Sequence, residues 1–199
     1  MNDTIRLNIG ERELPSGLTL LAVQNPGVPT FAAVVSLEIR AGAEPDDRGG
    51  LANLVGECLD EGTRHYDALE LATAAERLGA ALEGNHRGGV VMCPATSQKE
   101  ALGLLREMVL DAEFPGREVR RVQAEILTEI QAEADDPRSV AVKRFRKEIY
   151  GDHPLGRPGN GTAKSVAKLK PKDLRDFHAT CSRPQGGYVA VAGPDEPER

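Results

Sequence analysis

The chain has 199 residues, 40% hydrophobic but only 4% aromatic and without Trp, which suffices for one core built on Leu, Val, Ile and Ala and leaves a second domain cramped. A net charge of −6 gives no electrostatic footprint for nucleic acid, which needs Lys and Arg against phosphate. No apolar run reaches membrane-spanning length and the start lacks a signal-peptide pattern, so the chain as written is expected to be cytoplasmic with no membrane partner.

Residues 13–23 and 30–40 read as strands, β-branched and apolar stretches bounded by Pro and Gly. A helix is expected over about 50–61, because Leu51, Leu54, Val55, Cys58 and Leu59 fall at i, i+3, i+4, i+7 and i+8, with Gly62 where a C-cap would sit. Asn53, Gly56, Glu57, Asp60 and Glu61 then share the opposite face. A second helix over about 67–78 ends at Gly79, and residues 80–85 and 88–93 form a hairpin around His86-Arg87.

Ser97 and Glu100 have capping-box spacing ahead of an amphipathic run through Leu102, Leu105, Met108 and Val109. A further helix over 118–134 places Val119, Val122, Ile126, Leu127 and Ile130 on one side. The Asp135-Asp136-Pro137 turn breaks it before another helix over 139–150. Short helices at 162–169 and 172–180, a strand at 187–193 and a frayed tail at 194–199 complete the chain. This order predicts an α+β fold, a mostly antiparallel sheet with helices packed on one face.

Cys58, Cys93 and Cys181 lack CxxC spacing, against a disulfide framework or a cysteine zinc site; Cys58 and Cys93 read as core residues. His65, His86, His153 and His178 have no ligand spacing and read as surface or loop histidines. Gly49-Gly50 and Gly159-Asn160-Gly161 read as turns, and Lys164, Lys168, Lys170 and Lys172 as a solvated face.

The segment Gly50-Leu51-Ala52-Asn53-Leu54-Val55-Gly56-Glu57, followed by Glu61-Gly62-Thr63, resembles the metal-binding helix of the pitrilysin/insulinase zinc peptidases, relatives of mitochondrial processing peptidase. Those proteins carry His-x-x-Glu-His after the Gly-Leu-Ala. Two histidines four apart grip one Zn²⁺ and the glutamate activates its water. Here Asn53 and Glu57 hold the histidine places and Gly56 the glutamate place. The resemblance spans the chain: residues 14–20 match the family's first hairpin, 31–39 its next strand, 150–158 its loop after the long helices and 187–193 its closing strand. Glu129 matches the third metal ligand, while Val122 departs from the usual acidic residue.

The resemblance implies one pitrilysin/insulinase-like domain over 1–199, one of two or more in the full-length protein. It implies an inactive first domain with no catalytic residue and no cofactor, serving as a structural or peptide-holding partner of another such domain or subunit. Glu83, Gly84 and Asn85 match the edge strand that holds extended peptide, with Glu83 in place of the family's asparagine. Glu57 and Glu129 are the residual metal candidates; Glu57 and Glu61, spaced i, i+4, could with Glu129 attract a hard cation such as Ca²⁺ or Mg²⁺, but mutual repulsion tolerated in water is the preferred reading. The alternatives are a zinc-dependent endopeptidase with an altered ligand set, the family's metal-free second domain, and a free-standing interaction module.

Overall fold

The computed structural model describes residues 9–39, 43–181 and 183–195. Six strands, β1 (Ile9–Glu13), β2 (Thr19–Gln24), β3 (Thr30–Ser36), β4 (Ala81–Asn85), β5 (Gly88–Pro94) and β6 (Tyr188–Gly193), form one sheet in the order β1-β2-β6-β3-β5-β4. Only β2 and β6 pair in parallel; the other neighbours are antiparallel. The α+β expectation therefore holds, and β4 lies at a sheet edge. The expected first strand is a hairpin instead: Leu14 N–H donates to Leu18 O across the turn that joins β1 to β2. The second strand stops at Ser36, and its expected end at Arg40 lies outside the described residues, as do Met1 to Asn8 and the tail beyond 195.

Seven helices occur among the described residues: α1 (Leu51–Gly56), α2 (Ala68–Arg77), α3 (Gln98–Leu110), α4 (Gly116–Asp135), α5 (Pro137–Tyr150), α6 (Ala163–Val166) and α7 (Pro171–Cys181). The residues expected to face inward do so. Leu51, Leu54, Val55, Cys58 and Leu59 join Phe31, Ala33, Val91, Cys93, Met108, Val119, Val122 and Ile126 in the main core. The helix over 50–61 is shorter than its periodicity suggests, because after Gly56 the backbone tightens into i→i+3 bonds, Leu59 N–H to Gly56 O and Glu61 N–H to Cys58 O. Gly62 is therefore no C-cap; it bridges to Asp67 and packs so close to Pro115 that a β-carbon would lie 2.7 Å from its ring.

Two further expectations are corrected. Ser97 makes no side-chain cap, since a 3₁₀ turn at Ala95–Ser97 runs straight into α3; the reciprocal capping boxes are Asp67 with Glu70 and Thr162 with Ser165. His178 is no surface or loop histidine. It lies on α7, donates from Nε2 to Val109 O at 2.8 Å, meets Phe114 edge-on, and has its pKa lowered by burial.

The two faces of the sheet differ. On one side Ala33, Val91, Cys93 and Val191 meet the helices. On the other, the pairing register aligns Glu11, Leu21, Ala190, Val34, Val90 and Glu83 in one row and Ile9, Val23, Ala192, Ala32, Met92 and Ala81 in the next. None of these twelve belongs to either buried core cluster, and Ile9 and Met92 are 56% and 57% exposed. The sheet thus keeps a bare apolar face with a glutamate at each end of one row. α5 buries nothing and leaves Val142, Phe145 and Ile149, spaced i, i+3, i+7, at 50%, 65% and 57% exposure.

Leu54 is fully buried where α1 enters the core. Leu54→Ala should cost about 2–5 kcal/mol by lost transfer energy and cavity formation, read as a lower urea midpoint at unchanged slope.

Candidate functional site

α1 is held in place by backbone contacts that only glycine permits. Gly50 has φ 90° and Gly161 φ 79°, and the two turns lie back to back, so that a β-carbon on Gly161 would sit 2.3 Å from Gly49 O and one on Gly50 2.6 Å from Asn160 O. Ser165 Oγ donates to Gly49 O at 2.8 Å, and the Glu44 carboxylate accepts the Ala52 N–H at 2.6 Å at the start of the helix.

At its other end α1 runs into the β4–β5 hairpin. A β-carbon on Gly56 would lie 2.3 Å from His86 N and 2.6 Å from Asn85 C; one on Gly84 would lie 2.8 Å from Gly56 O and 2.9 Å from Leu59 Cβ. Gly56 is buried in this contact rather than displayed on a face with Asn53 and Glu57. Those two residues line different clefts. Asn53 borders one of about 400 Å³ with His86, Arg87, Arg146 and Arg157. Gly56 and Glu57 border one of about 320 Å³ with Asp60, Glu61, Glu83 and Glu125.

The second cleft is strongly acidic. Burial, then the nearby Glu129 and Asp60 carboxylates, raise the Glu57 pKa, so the structure does bring Glu57 and Glu129 into each other's field. Burial and then Glu61 raise Asp60 as well. Arg121 gathers the remaining acids: it pairs with Glu61, with Glu125 at 2.8 Å and with Glu118 at 3.1 Å, which raises its own pKa. Cys58, between them, is pushed up to about 12 by burial and by Glu61 and Asp60, so its thiol stays protonated and unreactive.

These residues do not suit a catalytic zinc. The motif places offer an amide, a carboxylate and no side chain, where the ion prefers imidazole or thiolate and its water needs a general base. A glutamate at position 56 would also have to displace the Asn85–His86 backbone. Among the described residues no three His, Cys, Asp or Glu converge as metal ligands. Glu83 and Asn85 are exposed on β4, the strand at the open edge of the sheet. Two charge features escape sequence reasoning. Arg121 was detectable in part, since Glu118 and Glu125 stand three before and four after it on one helix, but its link to Glu61 is tertiary. The convergence of Arg87, Arg146 and Arg157 has no local signal at all.

Comparison with known proteins agrees with this architecture. The family Insulinase (Peptidase family M16) matches residues 21–163, well over half of the chain. The chain belongs to this peptidase family. It is 27% identical over 184 residues to an uncharacterized zinc protease of Mycobacterium leprae, covering 90% of this chain and 41% of the relative. With the uncharacterized zinc protease YmxG of Bacillus subtilis it shares 24% over 182 residues, covering 89% and 44%. In structure it is similar to the peptidase M16 inactive domain from Pseudomonas fluorescens, with a TM-score of 0.87 at 23% identity over 96% of this chain and 47% of that one. A protease from Helicobacter pylori gives a TM-score of 0.85 at 17% identity with the same coverage. The chain spans less than half the length of these relatives. Among the described residues no helix is long and apolar enough to cross a membrane.

Gly56→Glu should lower stability by about 1–3 kcal/mol through overpacking against the hairpin, and titration with zinc should reveal no tight site in the variant. Glu57 titrates higher in the folded chain than in the unfolded one, so folding is favoured while it is protonated and loses that advantage as pH rises. Glu57→Gln should therefore stabilise at neutral pH by less than about 1 kcal/mol, because solvent screens this exposed group, and the gain should vanish below about pH 4 in thermal unfolding series.

Proposed function

We propose that this chain is a catalytically inactive M16 domain that forms a wall of a peptide-binding chamber and works beside another M16 domain or subunit that carries the zinc. The observation behind this reading is the closed contact of Gly56 on Asn85–His86, at the place where the family's general base belongs. Asn53 and Glu57, separated into two clefts, supply no pair of imidazoles to compensate. The likeness to a domain described as inactive in Pseudomonas fluorescens points the same way. Glu83, Gly84 and Asn85 on the open edge of β4 are the surface on which an extended peptide would add as a strand, and Glu57, Glu61 and Glu129 favour its cationic residues.

Pairing with a second domain is supported by two bare apolar surfaces, the outer sheet face and the α5 stripe, and by the chain's spanning less than half of its relatives. The run Phe31-Ala32-Ala33-Val34-Val35 is apolar on both sides, the pattern of a strand covered twice, and among the described residues only its Phe31, Ala33 and Val35 pack into the main core.

Metal analysis of protein purified without chelator tests inactivity: zinc should be far below stoichiometric, and peptide cleavage absent. Stoichiometric zinc with cleavage abolished by Glu129→Gln would instead establish an endopeptidase with an altered ligand set. In the assembled protein, Met92→Asp or Phe145→Asp should weaken association at least about tenfold, seen as release of the free chain in sedimentation, while the isolated chain's stability stays within about 0.5 kcal/mol.

A further inference from the structure

From the arginines on the Asn53 side of α1 we infer a carboxylate-binding subsite, which receives an acidic side chain or the free C-terminus of a peptide laid along β4. The inference rests on the peptide-holding reading and adds the chemistry of one end of the ligand. Arg87, Arg146 and Arg157 come from three separate parts of the chain, the hairpin tip, α5 and the loop after it, and line one cleft of about 400 Å³ with Ile39, Pro154 and Leu155 as its apolar part. The cleft admits a side chain and part of a backbone, and guanidinium forks match a carboxylate's planar oxygens.

The acids nearby are already engaged. Glu44 accepts from Ala52 N–H, and Asp46 pairs with Arg157 at 2.9 Å, fixing that guanidinium at the rim. Arg146, Arg157 and Gly159 also line an adjoining cleft of about 490 Å³. There Glu133 is taken by Lys143 at 2.6 Å and Asn160 at 2.8 Å, and Asp136 accepts from Ser139 at the start of α5. Arg87 and Arg146 hold no ion pair among the described residues, so positive charge is left over in the cleft. The Arg87 backbone is fixed, its N–H donating to Asn85 Oδ1 at 2.9 Å and its carbonyl accepting from Leu37 N–H at 2.6 Å.

The same hairpin carries both charge environments. Glu83 and Gly84 border the acidic cleft, and His86 and Arg87, a few residues on, border the basic one. A peptide paired with β4 thus meets carboxylates at one end and guanidiniums at the other, and a ligand with a basic residue followed at short range by a carboxylate satisfies both.

Fluorescence anisotropy with labelled hexapeptides tests this on the full chain: one with two acidic residues and a free C-terminus, its Asn/Gln isostere with an amidated C-terminus, and one with two lysines. The acidic peptide should bind about tenfold more tightly than its isostere. Arg87→Gln and Arg146→Gln should each weaken it about 5- to 10-fold and leave the lysine peptide unchanged. Both arginines are exposed, so thermal unfolding of the variants should match the parent. Equal binding of acidic peptide and isostere, or no effect of either substitution, overturns the subsite. Binding of the lysine peptide alone overturns the subsite and leaves the peptide-holding reading standing, whereas failure of all three removes both.

Discussion

A helix and a hairpin approach each other here as closely as backbones can, and the rest of the site follows from that contact. Gly56 and Gly84 face each other across it, and neither position has room for a β-carbon. In an M16 peptidase the glutamate place of the motif must be open to metal-bound water and substrate together. Here the hairpin occupies that opening. Position 56 carries no carboxylate, and the hairpin backbone fills the space that a side chain there would enter. The glycine pair also seats Leu59 against the edge strand, so the same contact helps to fix β4 on the helical layer.

The sheet divides the molecule into a finished half and an unfinished one. Helices α1, α3, α4 and α7 share the main core with the inner sheet face, and buried side-chain polar atoms all find partners among the described residues. The outer face keeps Leu21, Val23, Val34, Val90 and Met92 in register, and among the described residues none of them packs into a core cluster. An apolar surface of that extent on a free-standing module would invite aggregation. Glutamates at both ends of a row and a basic, apolar-striped α5 elsewhere on the molecule are the charge pattern expected where domains of one family pack against each other.

Much of this was legible in the sequence because it is periodic. The stripe from Leu51 to Leu59, the α4 positions from Val119 to Ile130 and the hairpin around His86-Arg87 all follow from repeat spacing and turn residues, and all stand where expected. The early end of α1 was not legible, since the apolar spacing continues through turns whose i→i+3 bonds keep Cys58 and Leu59 pointing inward. The burial of His178 was hidden for another reason: its partner, the Val109 carbonyl, is backbone and leaves no mark in composition. At the site, the missing imidazoles and base were readable residue by residue. The separation of Asn53 from Glu57 was not, because it depends on where a distant hairpin comes to rest.

That separation bears on what a degenerate active site retains. Burial, with the Glu129 and Asp60 carboxylates nearby, raises the Glu57 pKa, so its ionised form costs some stability at neutral pH. Arg121 pairs with Glu61, Glu118 and Glu125. The acidic cleft beside Glu57 and the guanidinium-lined cleft beside Asn53 both border the β4–β5 hairpin, two pockets of opposite sign. On the proposed peptide-holding reading, two such pockets would fix the direction of an extended chain as well as its presence, because reversing the peptide sets carboxylate against carboxylate and ammonium against guanidinium. On that reading, holding a peptide in one direction would serve a neighbouring domain that cuts, and it would require no metal in the domain that holds.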